Sequence, residues 1–133
     1  MTDEAILAEA DLIAARPYTF TLVLNEGGVW TSGVLEIPGV VSEGDDPAEA
    51  IEMARDALRE MAIVRIEDGL EIPEPFDSRD YSGKLQLRIP PGLHRRAAML
   101  AAQEGVSLNR WLSAAVAASS NEPAASEPAR LQA

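Results

Sequence analysis

Hydrophobic and polar positions alternate from Tyr18 to Asn25, so that Tyr18, Phe20, Leu22 and Leu24 fall on one side of an extended chain. "NEGG", Asn25 to Gly28, supplies a turn, and "VWTSGVLEI", residues 29–37, reads as a second strand. A third short strand follows from Gly39 to Glu43, ending at Gly44, which predicts a three-strand meander. The period then changes. In "DDPAEAIEMARDALREM" the residues Ala50, Ile51, Ala54, Leu58, Met61 and Ala62 recur at helical spacing and can cover one face of that sheet. Asp46 as N-cap, Pro47 at the first helical position and Glu49 at the third give a capping-box pattern. Upstream, the first seventeen residues predict a short helix through Ile6, Leu7, Ala10 and Ile13, with no readable function. Downstream, "EDGLEIPEPFDSRDYSG" is too rich in proline, glycine and short polar residues for a regular element, and its Ile72 and Phe76 are expected to cap an edge of the core.

Strict alternation returns once more, in "SGKLQLRIPP". Leu85, Leu87 and Ile89 share one face of this segment, and Lys84, Gln86 and Arg88 share the other. Pro90 and Pro91 end the strand. "GLHRRAAMLAAQEG" follows as a helix buried through Leu93, Ala97, Leu100 and Ala101 and stopped by Gly105. Ser107 then caps "LNRWLSAAVAASS", where Leu108, Trp111, Leu112, Ala115 and Val116 form a second apolar stripe. "NEPAASEPARLQA" has the composition of a disordered tail. The resulting division is an N-terminal extension (1–17), an α+β domain with its connecting segment (18–80), a strand-helix-helix domain (81–120) and a tail (121–133).

Charge sharpens this division. The chain has 133 residues and a net charge of -11, yet residues 1–80 carry 19 Asp/Glu against 5 Lys/Arg, while residues 81–121 carry 5 Lys/Arg and a single acid, Glu104. Phosphate is repelled by the first part and attracted by the second. The absence of cysteine rules out disulfides, zinc-thiolate sites and thiol nucleophiles. No stretch has the apolar length of a bilayer span, and the N-terminus opens on acids rather than on a basic signal region, so a cytoplasmic protein without membrane association is expected.

About forty residues of strand, helix and helix cannot bury a sufficient core alone, and a lone strand leaves two unpaired edges. Antiparallel pairing of two such strands across a two-fold axis meets both needs, giving a homodimer core of Leu85, Leu87, Ile89, Leu93, Leu100, Leu108, Trp111 and Leu112. The opposite face of that ribbon presents Lys84, Gln86 and Arg88 twice, and a two-stranded ribbon fits the major groove of B-form DNA. Arg88 suits guanine edges and Gln86 suits adenine, while Lys84 suits either a guanine edge or a phosphate. The helix start at Ser107, Leu108 and Asn109 can hold a phosphate on its amides, with Arg95, Arg96 and Arg110 as further backbone contacts. His94, the only histidine, stands beside Arg95 and Arg96 at a helix start and belongs to no ligand set, so neither a metal nor another cofactor is expected.

"SGKLQLRIPPGLHRRAAMLAAQEGVSLNRWLSAAVAAS" resembles a ribbon-helix-helix DNA-binding domain, including the proline stop and the G-x-S-x-N start of the second helix. The upstream stretch from "YTFTLVLNEGGVW" through "GLEIPEP" is similar to the HicB family of antitoxins, whose N-terminal domain resembles a truncated ribonuclease H fold. The family's "G-D-T-x-x-E-A" segment stands here as "GDDPAEA", with Asp46 in place of threonine, and aspartate caps a helix equally well. The resemblance implies a non-enzymatic, bacterial, two-part protein. Its N-terminal domain would neutralise a small basic HicA-like messenger-RNA interferase, and its C-terminal domain would repress its own operon by binding operator DNA upstream.

The acidic cluster Glu43, Asp45, Asp46, Glu49, Glu52 and Asp56 is the candidate toxin-facing surface, and equally a solvated face. A homotetramer assembled through the N-terminal domains is as compatible with the pattern as a homodimer. A ribonuclease reading fails on chemistry, because Glu26, Glu36 and Asp45 have no spacing that demands convergence on a metal. The remaining alternative is a stand-alone ribbon-helix-helix regulator whose N-terminal domain senses or oligomerises without a toxin.

Overall fold

The computed structural model describes residues 2–121 as an α+β chain with one three-stranded antiparallel sheet and four α-helices. It divides into two compact units between Ser82 and Gly83. The expectation for the C-terminal tail lies outside the described residues.

The first unit begins with α1 (Asp3–Ala14), whose N-cap Thr2 accepts a hydrogen bond from the Ala5 amide at 3.1 Å. Ile6, Ala10, Ile13 and Ala14 are buried, as the apolar spacing predicts for three of them, whereas Leu7 is largely exposed. Strands β1 (Phe20–Leu24), β2 (Trp30–Val34) and β3 (Ile37–Gly44) form the meander in the order β1-β2-β3. Gly27 and Gly28 both take positive φ in the first turn, which explains why the turn after Asn25 and Glu26 is made of glycines.

The second turn differs from expectation. The alternation carried the second strand to Ile37, but the chain reverses at Leu35 and Glu36, and Ile37 already pairs back with Val34. Neither residue is a turn former, so no local signal marked the reversal. Three residues of β3, Pro38 to Val40, then bulge out before Val41 pairs with Gly33.

Helix α2 (Pro47–Glu67) runs one and a half turns beyond the stretch ending at Met61. Its start follows the capping pattern: Asp46 accepts from the Glu49 amide at 2.8 Å, and Glu49 Oε1 accepts from the Asp45 amide at 3.1 Å. Ala50, Ala54, Leu58 and Ala62 are fully buried against the sheet and α1, while Ile51 and Met61 are half-buried. Gly44 is required at the strand-to-helix junction, since a Cβ there would lie 2.5 Å from the Ala50 nitrogen.

Glu36, buried at the turn, organises what surrounds it. Its carboxylate accepts from the Thr19 amide at 3.0 Å and hydroxyl at 3.1 Å, and from the Phe76 amide at 3.0 Å. Burial alone would push this carboxyl up, but the Phe76 and Thr19 donors outweigh it and hold the carboxyl below its usual range. The connecting segment is fastened by further side chains: Tyr18 Oη donates to the Pro73 carbonyl at 2.6 Å, Arg65 to that of Glu71 at 2.8 Å, and Arg79 to that of Glu74 at 2.8 Å. Ile72 packs on the core as expected, and Pro75 is fully buried. Phe76, expected to cap the core, is instead exposed, with the Arg79 guanidinium over its ring at 4.3 Å.

The second unit contains α3 (Pro91–Glu104) and α4 (Leu108–Ser120). Gly105 takes φ 73°, and the Gly105 and Val106 amides close back onto the carbonyls of Ala102 and Ala101, the double closure that ends a helix at a left-handed residue. Residues 84–89 belong to no strand, and among the described residues they have no ladder partner.

Because the Glu36 pKa is depressed by folding, its contribution is fully present above the unfolded carboxyl value and lost as pH falls through the folded one. Glu36→Gln should lower stability by about 2 kcal/mol near neutral pH, since the amide accepts less well and turns a donor toward donors. Urea unfolding of both proteins at about pH 7 and about pH 2.5 checks this: the difference should shrink in acid.

Candidate nucleic-acid interface

In the second unit, Lys84, Gln86 and Arg88 are all exposed, as base-reading side chains must be. The alternating partners are exposed too: Leu85 is 91% and Leu87 61% accessible, and only Ile89 is half-buried. Leu93 is also exposed, and Leu100, Leu108, Trp111 and Leu112 are half-buried. Among the described residues of this unit the fully sheltered side chains are two alanines, Ala97 and Ala101. Burial of an alanine contributes little beside that of a leucine, so the helix pair leaves most of its apolar surface without cover within one chain.

Helix α4 starts where the sequence places it. Ser107 is the N-cap, and its hydroxyl accepts from the Arg110 amide at 3.1 Å. Asn109 is exposed and Leu108 half-buried, so the first-turn amides stand beside polar surface where an anion can approach. Arg95 and Arg96 are exposed on the first turns of α3, with His94. Arg110 is half-buried, and its Nε is sheltered without a hydrogen-bond partner.

One contact had no sequence signal. Trp111 Nε1 donates to Glu104 Oε2 at 2.7 Å, tying the end of α3 to the first turn of α4. The only acid in the basic region is therefore engaged within the fold.

The acidic residues of the first unit are spread over two elements. Glu43 lies on β3, and Asp45 and Asp46 stand at the junction to α2. Glu49, Glu52 and Asp56 lie on α2 at spacings of three and four, which puts them on one exposed face. Asp46 and Glu49 also close the capping bonds, and Glu52 stands 4.0 Å from Arg55, whose guanidinium covers the Phe20 ring at 5.0 Å. Glu26 remains in its turn, and Glu36 is committed to Thr19 and Phe76. No helix among the described residues is long and apolar enough to cross a membrane.

Ser107→Ala should destabilise the second unit by about 1 kcal/mol through loss of the cap, whereas Ser107→Asp, which also caps, should not. Thermal unfolding of the full-length proteins separates the two.

The comparisons with known proteins agree with this division. No curated protein matches the chain. The HicB family model matches residues 66–116, from the last turn of α2 through the connecting segment and α3 into α4. That match supports membership of the HicB family.

Proposed function

We propose that this protein is the antitoxin of a toxin-antitoxin pair, acting without chemistry of its own. Its acidic first unit binds and neutralises a small basic HicA-like ribonuclease. Its basic second unit pairs with that of a second copy, and the resulting ribbon-helix-helix dimer represses the operon by reading operator DNA. The family match supports the antitoxin role. The observation that carries the DNA reading is the exposure of both faces of residues 84–89 beside helices that bury only two alanines.

Such a segment gains most from a second copy. Pairing two strands through Lys84 to Ile89 would satisfy their backbone groups, cover Leu85 and Leu87, and leave Lys84, Gln86 and Arg88 aligned on the outer face. The outer face is then a cationic two-stranded ribbon of major-groove width. The amides at Leu108 and Asn109, with Arg95, Arg96 and Arg110, would hold the flanking phosphates and set the register. For the first unit, charge carries the argument: 19 acids against 5 bases in residues 1–80 favour rapid encounter with a basic ribonuclease and disfavour RNA in the same place.

Fluorescence anisotropy with duplex DNA from upstream of the gene, at one fixed salt concentration, tests the reading. The wild type should bind it selectively over scrambled DNA. Gln86→Ala/Arg88→Ala should lose that selectivity, and Ser107→Asp should weaken binding to both duplexes by placing an anion at the phosphate position. Equal binding of all proteins to both duplexes would reject the operator-reading ribbon. The toxin limb is tested by co-purification with the product of the adjacent reading frame, and a neighbour lacking a small basic protein would favour the stand-alone regulator.

A further inference from the structure

The two edges of the sheet are built differently. β3 carries the features that discourage another strand: Pro38 and Gly39 in a bulge, then Glu43 on the strand and Asp45 and Asp46 just beyond it. β1, at the other edge, reads Phe-Thr-Leu-Val-Leu, with no proline, glycine, charge or bulge. Natural sheets seldom leave such an edge unprotected.

The ladder fixes what this edge offers. The Leu35 amide donates to the Thr19 carbonyl and the Asn25 amide to the Val29 carbonyl, so the odd-numbered residues of this stretch are those bonded to β2. By the alternation of an antiparallel pair, the N–H and C=O groups of Phe20, Leu22 and Leu24 point away from the sheet. Val23 and Leu24 are 58% and 56% exposed, so the outer half of the strand is open.

We infer that β1 is an interface between copies of this chain, pairing antiparallel with its own symmetry mate about a two-fold axis through Leu22. In that register Leu22 meets Leu22 and Phe20 meets Leu24, all three pairs being those whose backbone groups point outward. Apolar side chains lie opposite one another on the helix-covered face, and Thr21 lies opposite Val23 on the other. The three-stranded sheet becomes a continuous sheet of six.

Charge selects a second copy over a basic partner. The carboxylates of Glu43, Asp45 and Asp46 gather at the β3 side, the far edge from β1, so a cationic protein is drawn there. The β1 edge is neutral, and the antiparallel register carries Glu26 of each copy toward the end of the other strand that holds Arg16, keeping like charges apart. This pairing does not depend on the ribbon. If both form, the assembly is a dimer of dimers.

The test is the mass of the full-length protein by light scattering over a hundredfold range of concentration, for wild type, Val23→Lys and Leu24→Pro. Both substitutions fall on exposed positions, and the Leu24 N–H is not part of the β1–β2 ladder, so circular dichroism should report a retained fold. The particle mass should halve in both variants: from tetramer to dimer if the ribbon also pairs, from dimer to monomer if it does not. In the wild type the amides of Phe20, Leu22 and Leu24 should exchange with solvent far more slowly than those of the turn at residues 26–28. Equal masses in folded variants would overturn the proposal, as would rapid exchange at those three amides. Unchanged mass with lost binding to a small basic partner would assign the edge to that partner instead.

Discussion

How closely α2 can approach the sheet decides the architecture of the first unit. Three of its four fully buried positions are alanines, Ala50, Ala54 and Ala62, and Leu58 alone projects a large side chain inward. The stripe is narrow, so the helix backbone lies near the strands, near enough at its start that Gly44 cannot carry a Cβ. Opposite it, β2 supplies Ser32, equally small and fully buried. A larger residue at any of these positions would lift the helix and open the core to water. Because α2 touches all three strands and also α1, one displaced helix would loosen every layer.

Backbone groups outside the sheet are satisfied differently. From Glu71 to Phe76 the connecting segment runs without ladder or helix, and four of its main-chain groups are met by side chains of Arg65, Tyr18, Arg79 and Glu36. An irregular segment placed this way costs conformational entropy that its own local bonds would not recover. Long-range bonds recover it: Tyr18 to Pro73 spans 55 residues, and Glu36 to Phe76 spans 40. The segment is thereby part of the fold rather than a slack connector.

Period and capping made α2, α3, α4 and the first hairpin legible, because each is written in neighbouring residues: Asp46 and Glu49, Gly105, Ser107, Gly27 and Gly28. The reversal at Leu35 and Glu36 was not, since its cause is a carboxylate whose partners are seventeen and forty residues away. Glu36 considered alone invites comparison with metal-binding acids; its burial among N–H donors gives it a structural task. For the candidate DNA interface, alternation showed which side chains share a face but not what covers Leu85 and Leu87, because a ladder is a property of two strands. The Glu104–Trp111 bond went unseen because both residues had ready explanations as surface and core.

The place of α1 bears on how the chain is made. It leaves the ribosome first, yet Ala10, Ile13 and Ala14 are covered in a core to which α2 contributes Leu58 and Ala62, nearly fifty residues later. At about 5–20 residues per second the nascent helix waits several seconds with its apolar face uncovered. Its outward face carries Asp3, Glu4, Glu9 and Asp11, and on an emerging chain these carboxylates repel both ribosomal RNA and other nascent copies. The same acidity that suits the finished protein to a cationic partner thus also guards it during synthesis, when its first helix has nothing yet to fold against.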